Sequence, residues 1–349
     1  MRTTALCAAV VLLLLPAAPA SAQDPLDDPD LNEWTVPWEG ARPRDPMVAP
    51  DGRVWFCGQG RSPYIGVLDP TSGEFEQYDT EGSIPHNLII DPEGMVWYAG
   101  NAGENNRHIG RLDPANGHIE RYVMPDERAA DPHTLVWDSQ GDIWFTVQQG
   151  NFIGKLWTET GEVRVVESIQ GAPGRRGASS SRPYGIVVDS RDRPWVALFN
   201  TNHIATVDPE TLELSTIELP ENALPRRIAV TSDDILWYGD WTRGTLGRLD
   251  PATGEVTEFP LPSAEEARPY AMVADDSDRI WLVETGVRPN NLIGFDPLTG
   301  EFFSNTQPES GGGTIRNMYF DAETNAIWFG TDTGTVGVAK LPPRRRAIS

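Results

Sequence analysis

One repeat position constrains this chain more than any other. Trp55, Trp97, Trp144, Trp195, Trp237, Trp281 and Trp328 recur at gaps of 42 to 51 residues. Each follows an apolar run and a turn rich in Asp and Gly, most clearly in Leu88-Ile89-Ile90-Asp91-Pro92-Glu93-Gly94-Met95-Val96-Trp97. A period in the forties with several short strands per repeat is the pattern of a β-propeller, one blade per repeat. Seven large rings at one repeat position are expected to fill the packing between blades.

Each repeat reads as four strands. The first follows an X-Pro-X start, as at Asn87 to Ile90, and the second carries the Trp. The third carries an Ile-Gly-like pair, such as Ile65-Gly66, Ile109-Gly110, Ile153-Gly154 and Ile293-Gly294. A turn of the form Asp-Pro-X-X-Gly follows, as in Asp250-Pro251-Ala252-Thr253-Gly254. There Asp caps, Pro sets φ and Gly takes the left-handed conformation. The seventh repeat stops after its third strand, near Leu341. The segment from Glu33 to Pro43 resembles Glu258 to Pro269, so residues 32 to 37 are expected to supply the missing strand and close the ring. The fold expected is all-β: one seven-bladed propeller of four-stranded blades over residues 23–343. Residues 168–182, rich in Gly and Ser, read as a mobile loop between blades three and four, a tolerated insertion or a lid.

The ends read differently. Arg2, the apolar run Ala5 to Leu15 and Ala20-Ser21-Ala22 have the order of an export signal, with cleavage expected after Ala22. That places the mature chain in a secreted or periplasmic location. Residues 344–349 form a short basic tail. The formal charge of −23, from 51 acidic and 28 basic residues, argues against nucleic acid or an anionic membrane as partner. Cys57 has no cysteine partner once Cys7 leaves, and it is expected to be a buried thiol. A monomer is expected.

The residue eleven before each Trp is Arg44, His86, His133, Tyr184, Arg226 and Tyr270. In the last repeat an extra turn residue shifts the match to Arg316. None is apolar. In a chain this acidic, they imply a polar, locally positive ring around one channel mouth. It is either the lining of a wet channel or a site for a small oxygen-rich or anionic ligand. Asp131 lies two residues before His133 and could join an acid–base or metal constellation. Three residues after the Trp, Asp240 and Glu284 are the acids. They are expected to pair with Arg226, Arg227 or Arg268; the alternative is a hard cation such as Mg²⁺.

Blades two and three carry repeats of the form Pro-His-X-Ile/Leu, then Asp-X-X-Gly-X-Val/Ile-Trp-Phe, then Ile-Gly-X-Leu. On these the chain resembles the virginiamycin B lyase (streptogramin lyase) family across essentially the whole mature sequence. The resemblance implies a seven-bladed propeller that opens a cyclic depsipeptide ester by elimination, using Mg²⁺. It implies that His86 is the base and His133 the assisting acid. It implies that Asp131 stands where a metal-binding Glu stands in the family. Val147 stands where the family has its other metal-binding Glu, and Val cannot ligate a metal. The reading that follows is a carbon–oxygen lyase on an ester or lactone with an incomplete metal site. The alternative is a non-catalytic propeller that binds a small anionic ligand or a partner protein on the ring face. A calcium-dependent lactone hydrolase is disfavoured by the seven repeats and by Met47-Val48-Ala49, which lacks an acid.

Overall fold

The computed structural model describes residues 28–59, 62–103, 106–172 and 179–343. The expected signal, the basic tail and the middle of the loop at 168–182 lie outside the described residues. Twenty-eight strands, numbered in chain order, form seven four-stranded antiparallel sheets. In six of them the strands lie in sequence order from the channel outward. The seventh joins β26 (Met318–Asp321), β27 (Ala326–Gly330) and β28 (Thr335–Lys340) to β1 (Asp30–Thr35). Trp34 faces Val336 in the register, and its ring stacks on Trp328 at 5.7 Å. The closing strand therefore exists, running two residues earlier than residues 32 to 37. One 3-10 turn, Ala264–Glu266, is the helical element among the described residues.

All seven repeat tryptophans are buried. An indole N–H in such a place needs an acceptor. Trp97, Trp195 and Trp281 donate to the carboxylate six residues earlier, Asp91 at 2.8 Å, Asp189 at 2.9 Å and Asp275 at 2.9 Å. In blade five Thr231 takes that role. In blade three the matching Asp138 is held by the buried Lys155 at 2.8 Å, and the ammonium lies over the Trp144 ring.

The Ile-Gly pairs have a steric cause. In five blades the aromatic residue after the Trp lies flat on a glycine of the next strand; in blade six Leu282 follows the Trp and Gly294 lies under Phe303 instead. A Cβ on Gly66, Gly110, Gly154 or Gly247 would sit within 2.3 Å of Phe56, Tyr98, Phe145 or Tyr238, inside any contact distance. Blade four confirms the rule by departing from it, since Val196 follows the Trp and Ala205 takes the glycine position. Cys57 is a buried free thiol, as expected. Asn151 pins both ends of the loop between blades three and four: its Nδ2 donates to the Ser168 carbonyl at 3.0 Å and the Ile169 carbonyl at 3.1 Å, and its Oδ1 accepts from the Ser181 N–H at 2.8 Å and hydroxyl at 2.9 Å.

Candidate functional site

The inner strands are β2 (Pro43–Val48), β6 (Ser83–Ile90), β10 (Pro132–Trp137), β14 (Pro183–Val188), β18 (Pro225–Val230) and β22 (Pro269–Ala274), with β26 in the last blade. The first six start at or next to an X-Pro-X motif, while β26 follows Ile315-Arg316-Asn317 without a proline, and the side chains at these strand starts converge at one end of the channel. The His86 and His133 rings lie 3.8 Å apart, and His133 is 4.2 Å from the Tyr184 ring. The Tyr184 and Tyr270 hydroxyls share a short hydrogen bond. Arg316 lies 5.7 Å over the Tyr270 ring and pairs with Asp332 at 2.5 Å, which also holds Arg44 at 3.7 Å. The seven ring residues thus form one contact chain around the mouth. Arg226 spans it, with its guanidinium 3.4 Å from the Tyr270 ring, 4.1 Å from Trp241, 4.6 Å from Phe199 and 5.1 Å from Tyr184.

A second polar layer lies one residue deeper. Arg227 and Asp45 form a buried ion pair at 3.6 Å between blade five and blade one. Asp45 Oδ2 accepts from Asn87 at 2.9 Å and Asn317 at 3.2 Å, and Arg227 donates to Thr134 at 3.2 Å. Sequence reasoning stopped at the ring. Its signal was one position further on, where Asp45, Asn87, Thr134, Arg227 and Asn317 are all polar in an otherwise apolar strand. Asp332, Phe199 and Trp241 were also missed, because they sit in loops where the repeats lose their common length.

Burial depresses the pKa of both histidines well below the usual range. For His86 the Arg44, Arg227 and Arg316 charges add to it, and for His133 the neighbouring His86, then Arg227 and Arg226. Both shifts favour the neutral imidazole, whereas the family resemblance implied a protonated His133 as the assisting acid. Burial would raise the Tyr184 phenol, but Arg226 and Arg227 bring it below its ordinary value, while burial and Tyr184 push Tyr270 up to about 12. Around these groups, Arg44 Nε, His86 Nδ1 and Arg226 Nε are buried without hydrogen-bond partners. Five guanidiniums (Arg42, Arg44, Arg226, Arg227, Arg316) gather here against two carboxylates, Asp45 and Asp332. The mouth is a positive spot on a strongly acidic protein.

The remaining acids serve structure. Asp131 sits at φ 65° and accepts from the Asn106 side chain at 2.9 Å. Burial raises its pKa. Val147 lies opposite Pro132 in the ladder and is solvent-free within an apolar cluster that includes Ala129 and Phe152. Asp240 and Glu284 do not pair with Arg226, Arg227 or Arg268. Asp240 binds Arg243 at 3.1 Å and caps its own turn through the Thr242 and Arg243 N–H groups. Glu284 accepts from the Ser263 N–H and hydroxyl and from Asn291 at 2.8 Å. Both carboxylates are taken up by the loops beside them, which lie closer than the ring arginines. Among the described residues no group of three His, Cys, Asp or Glu side chains could hold a metal ion. With Val147 apolar and Asp131 bound to Asn106, the donor set does not fit Mg²⁺.

Fold and mouth together define a seven-bladed propeller with a His/Arg/Tyr site at one end of its channel. The virginiamycin B lyase family model matches residues 26–207 and 177–339, and the chain belongs to that family. A streptogramin B lyase structure superposes with TM-score 0.76 at 25% identity, covering 91% of this chain and 99% of that one. Selenomethionine-substituted virginiamycin B lyase from Staphylococcus aureus superposes with TM-score 0.75 at 25% identity, covering 89% and 99%. The same figures hold for a catalytically inactive His-to-Ala variant of that S. aureus enzyme with quinupristin. A search of curated proteins finds no match.

Proposed function

We propose that the ring is a site for an ester or lactone and that the chain opens it by elimination, as a carbon–oxygen lyase working without a bound metal. The observation that carries this is the His86–His133 pair. Two neutral imidazoles stand 3.8 Å apart beneath guanidiniums with unused N–H groups. A neutral imidazole can take the proton from the carbon next to a carbonyl. The C–O bond at the adjacent carbon then breaks, a carbon–carbon double bond forms, and the acyl oxygen leaves as carboxylate. A carboxylate leaves without a proton, so two neutral histidines suffice. Arg226 and Arg227 would hold the developing negative charge, the part that a cation otherwise takes. His86, whose Nδ1 has no partner, is the proposed base. His133 would position it by stacking, with its own Nδ1 2.8 Å from Thr134 Oγ1.

The second reading, a binding module without turnover, is favoured by one observation: Arg226 lies over the Tyr184 and Tyr270 rings and must swing away before a ligand reaches His133, which is 1% exposed. The test is a mass-spectrometric screen of cyclic depsipeptides and β-acyloxy esters for a ring-opened product without added water, with and without a chelator. Turnover that survives chelation and is lost in both His86→Ala and His133→Ala is the expected result. Binding without product in any case would establish the module reading. Turnover abolished by chelation and restored by Mg²⁺ would overturn the metal-free proposal. Export belongs to the same proposal, and N-terminal sequencing of protein from the native host should begin at Gln23.

A further inference from the structure

Arg226 stands at the mouth without a carboxylate partner among the described residues. Asp332 holds Arg42, Arg44 and Arg316, and Asp45 holds Arg227. The polar contact of Arg226 is its Nη2 donating to the Tyr184 hydroxyl at 3.3 Å. That hydroxyl also shares the short hydrogen bond with Tyr270. Both phenols are buried, at 4% and 2% exposure, whereas Arg226 is partly exposed. What faces the two oxygens is positive or neutral on every side. From β18 come Arg226 and Arg227, the latter 5.3 Å from the Tyr184 ring and 6.0 Å from the Tyr270 ring. Arg316, just before β26, lies 5.7 Å over the Tyr270 ring, and Arg182, just before β14, lies 6.0 Å over Phe199. β10 brings His133 with His86 of β6 behind it, and the loops of blades four and five bring the uncharged Phe199 and Trp241. Guanidiniums gathered in a poorly solvated place call for a counter-charge. The acidic groups touching Arg226 are the two phenols. Two phenols that share one proton carry one negative charge between them, and that charge resists the loss of the second proton.

We infer that the Tyr184–Tyr270 pair is the built-in counter-ion of Arg226, sharing one proton while the other phenols stay neutral, and that a carboxylate ligand takes Arg226 from it with uptake of one proton. This rests on the reading of the ring as a ligand site and states how that site is regulated. The charges balance. Before binding, Arg226 faces a shared phenolate. Afterwards it faces the ligand's carboxylate, and the phenols hold both protons, the extra one drawn from solvent. Without that proton two negative charges would meet at one guanidinium. The two titrations run in the matching directions. Burial works against ionising Tyr184, but Arg226 and Arg227 outweigh it, while burial and the neighbouring Tyr184 push Tyr270 up to about 12. Elimination from an ester leaves a carboxylate in the mouth, so renewed ionisation of the pair is the step that expels it.

The experiment is ultraviolet titration of the intact protein, following phenolate absorbance from about pH 6 to about pH 11. The chain has eight tyrosines, and burial raises all six outside the pair. One equivalent of phenolate should therefore appear below the ordinary phenol value of about 10, ahead of every other. Tyr184→Phe and Tyr270→Phe should each move that step to higher pH, because the remaining phenolate loses the hydroxyl that donates to it, and the double variant should lose the step. Arg226→Gln should raise the proton affinity of the pair by about tenfold or more. Acetate, with chloride at matched ionic strength as control, should move the wild-type step upward and leave that of Arg226→Gln in place. The wild-type titration with and without acetate decides the matter even if the double variant fails to fold. No phenolate below the ordinary value, an early step that survives in the double variant, or one that acetate leaves unmoved overturns the inference. The titration uses no substrate, so it and the depsipeptide screen can fail independently.

Discussion

At the tryptophan position all seven blades carry the same residue, while eleven or twelve residues earlier they carry Arg, His, His, Tyr, Arg, Tyr and Arg. Both positions repeat around the same axis, and both are largely buried. The difference lies in what each ring of side chains touches. A Trp meets the next blade, and every blade has a neighbour of the same shape, so one solution serves seven times. A ring residue meets the other ring residues across a narrow mouth, where seven identical charges would repel and seven identical rings would offer no chemistry. Packing between blades demands repetition, and a site at the axis demands that the repetition be broken.

Substitutions sharpen that contrast. The largest effect is expected at the axis, from Arg227→Met, which strands Asp45 as an unpaired buried carboxylate and should cost about 4 kcal/mol in denaturant unfolding. The double variant with Asp45→Asn should recover most of that loss; if it does not, the ion pair is not what ties blade five to blade one. A belt substitution should cost less. Gly154→Ala places a Cβ against the Phe145 ring and should lower stability by about 2 kcal/mol without changing ligand binding at the mouth. A change in ring-ligand affinity in that variant would show that belt and mouth are coupled.

The smallest effect is in the pH dependence. Since the folded pKa of His86 and His133 lies below the ordinary 6.5, the unfolded chain binds more protons than the native one between those values. Their contribution is therefore flat above about pH 6.5 and turns against the fold as the pH drops below it, by about 1 kcal/mol for each imidazole at pH 6. The difference between wild type and His86→Gln/His133→Gln isolates this from the carboxylates. A difference that stays constant from pH 8 to pH 5 would mean the pair titrates normally.

Much of the architecture was legible before any coordinates. The tryptophan spacing carried the blade count, the truncated last repeat carried the ring closure through Trp34, and the X-Pro-X starts carried the ring itself. The site was legible only in outline. That His86 and His133 would be neighbours followed from their shared repeat position in adjacent blades. That both would be neutral did not, because it depends on burial and on Arg44, Arg226, Arg227 and Arg316 arriving from three other blades. Asp240 and Glu284 show the same limit: their partners, Arg243 and Ser263, sit in irregular loops that no repeat alignment superposes.

What the sequence determined by itself is whatever a residue decides with its own blade and the next one. The buried indole, the glycine under an aromatic ring and the Asp-Pro-X-X-Gly turn are of this kind, since their partners lie at fixed offsets in the chain or in the following repeat. What only the tertiary structure decided is what happens at the axis. Arg227 meets Asp45 across 182 positions, and Tyr184 meets Tyr270 across 86, with an intervening blade between them. Closing the ring brings seven strand starts to one mouth at once. The charge, burial and unused hydrogen-bonding groups found there belong to that closure and to no single repeat.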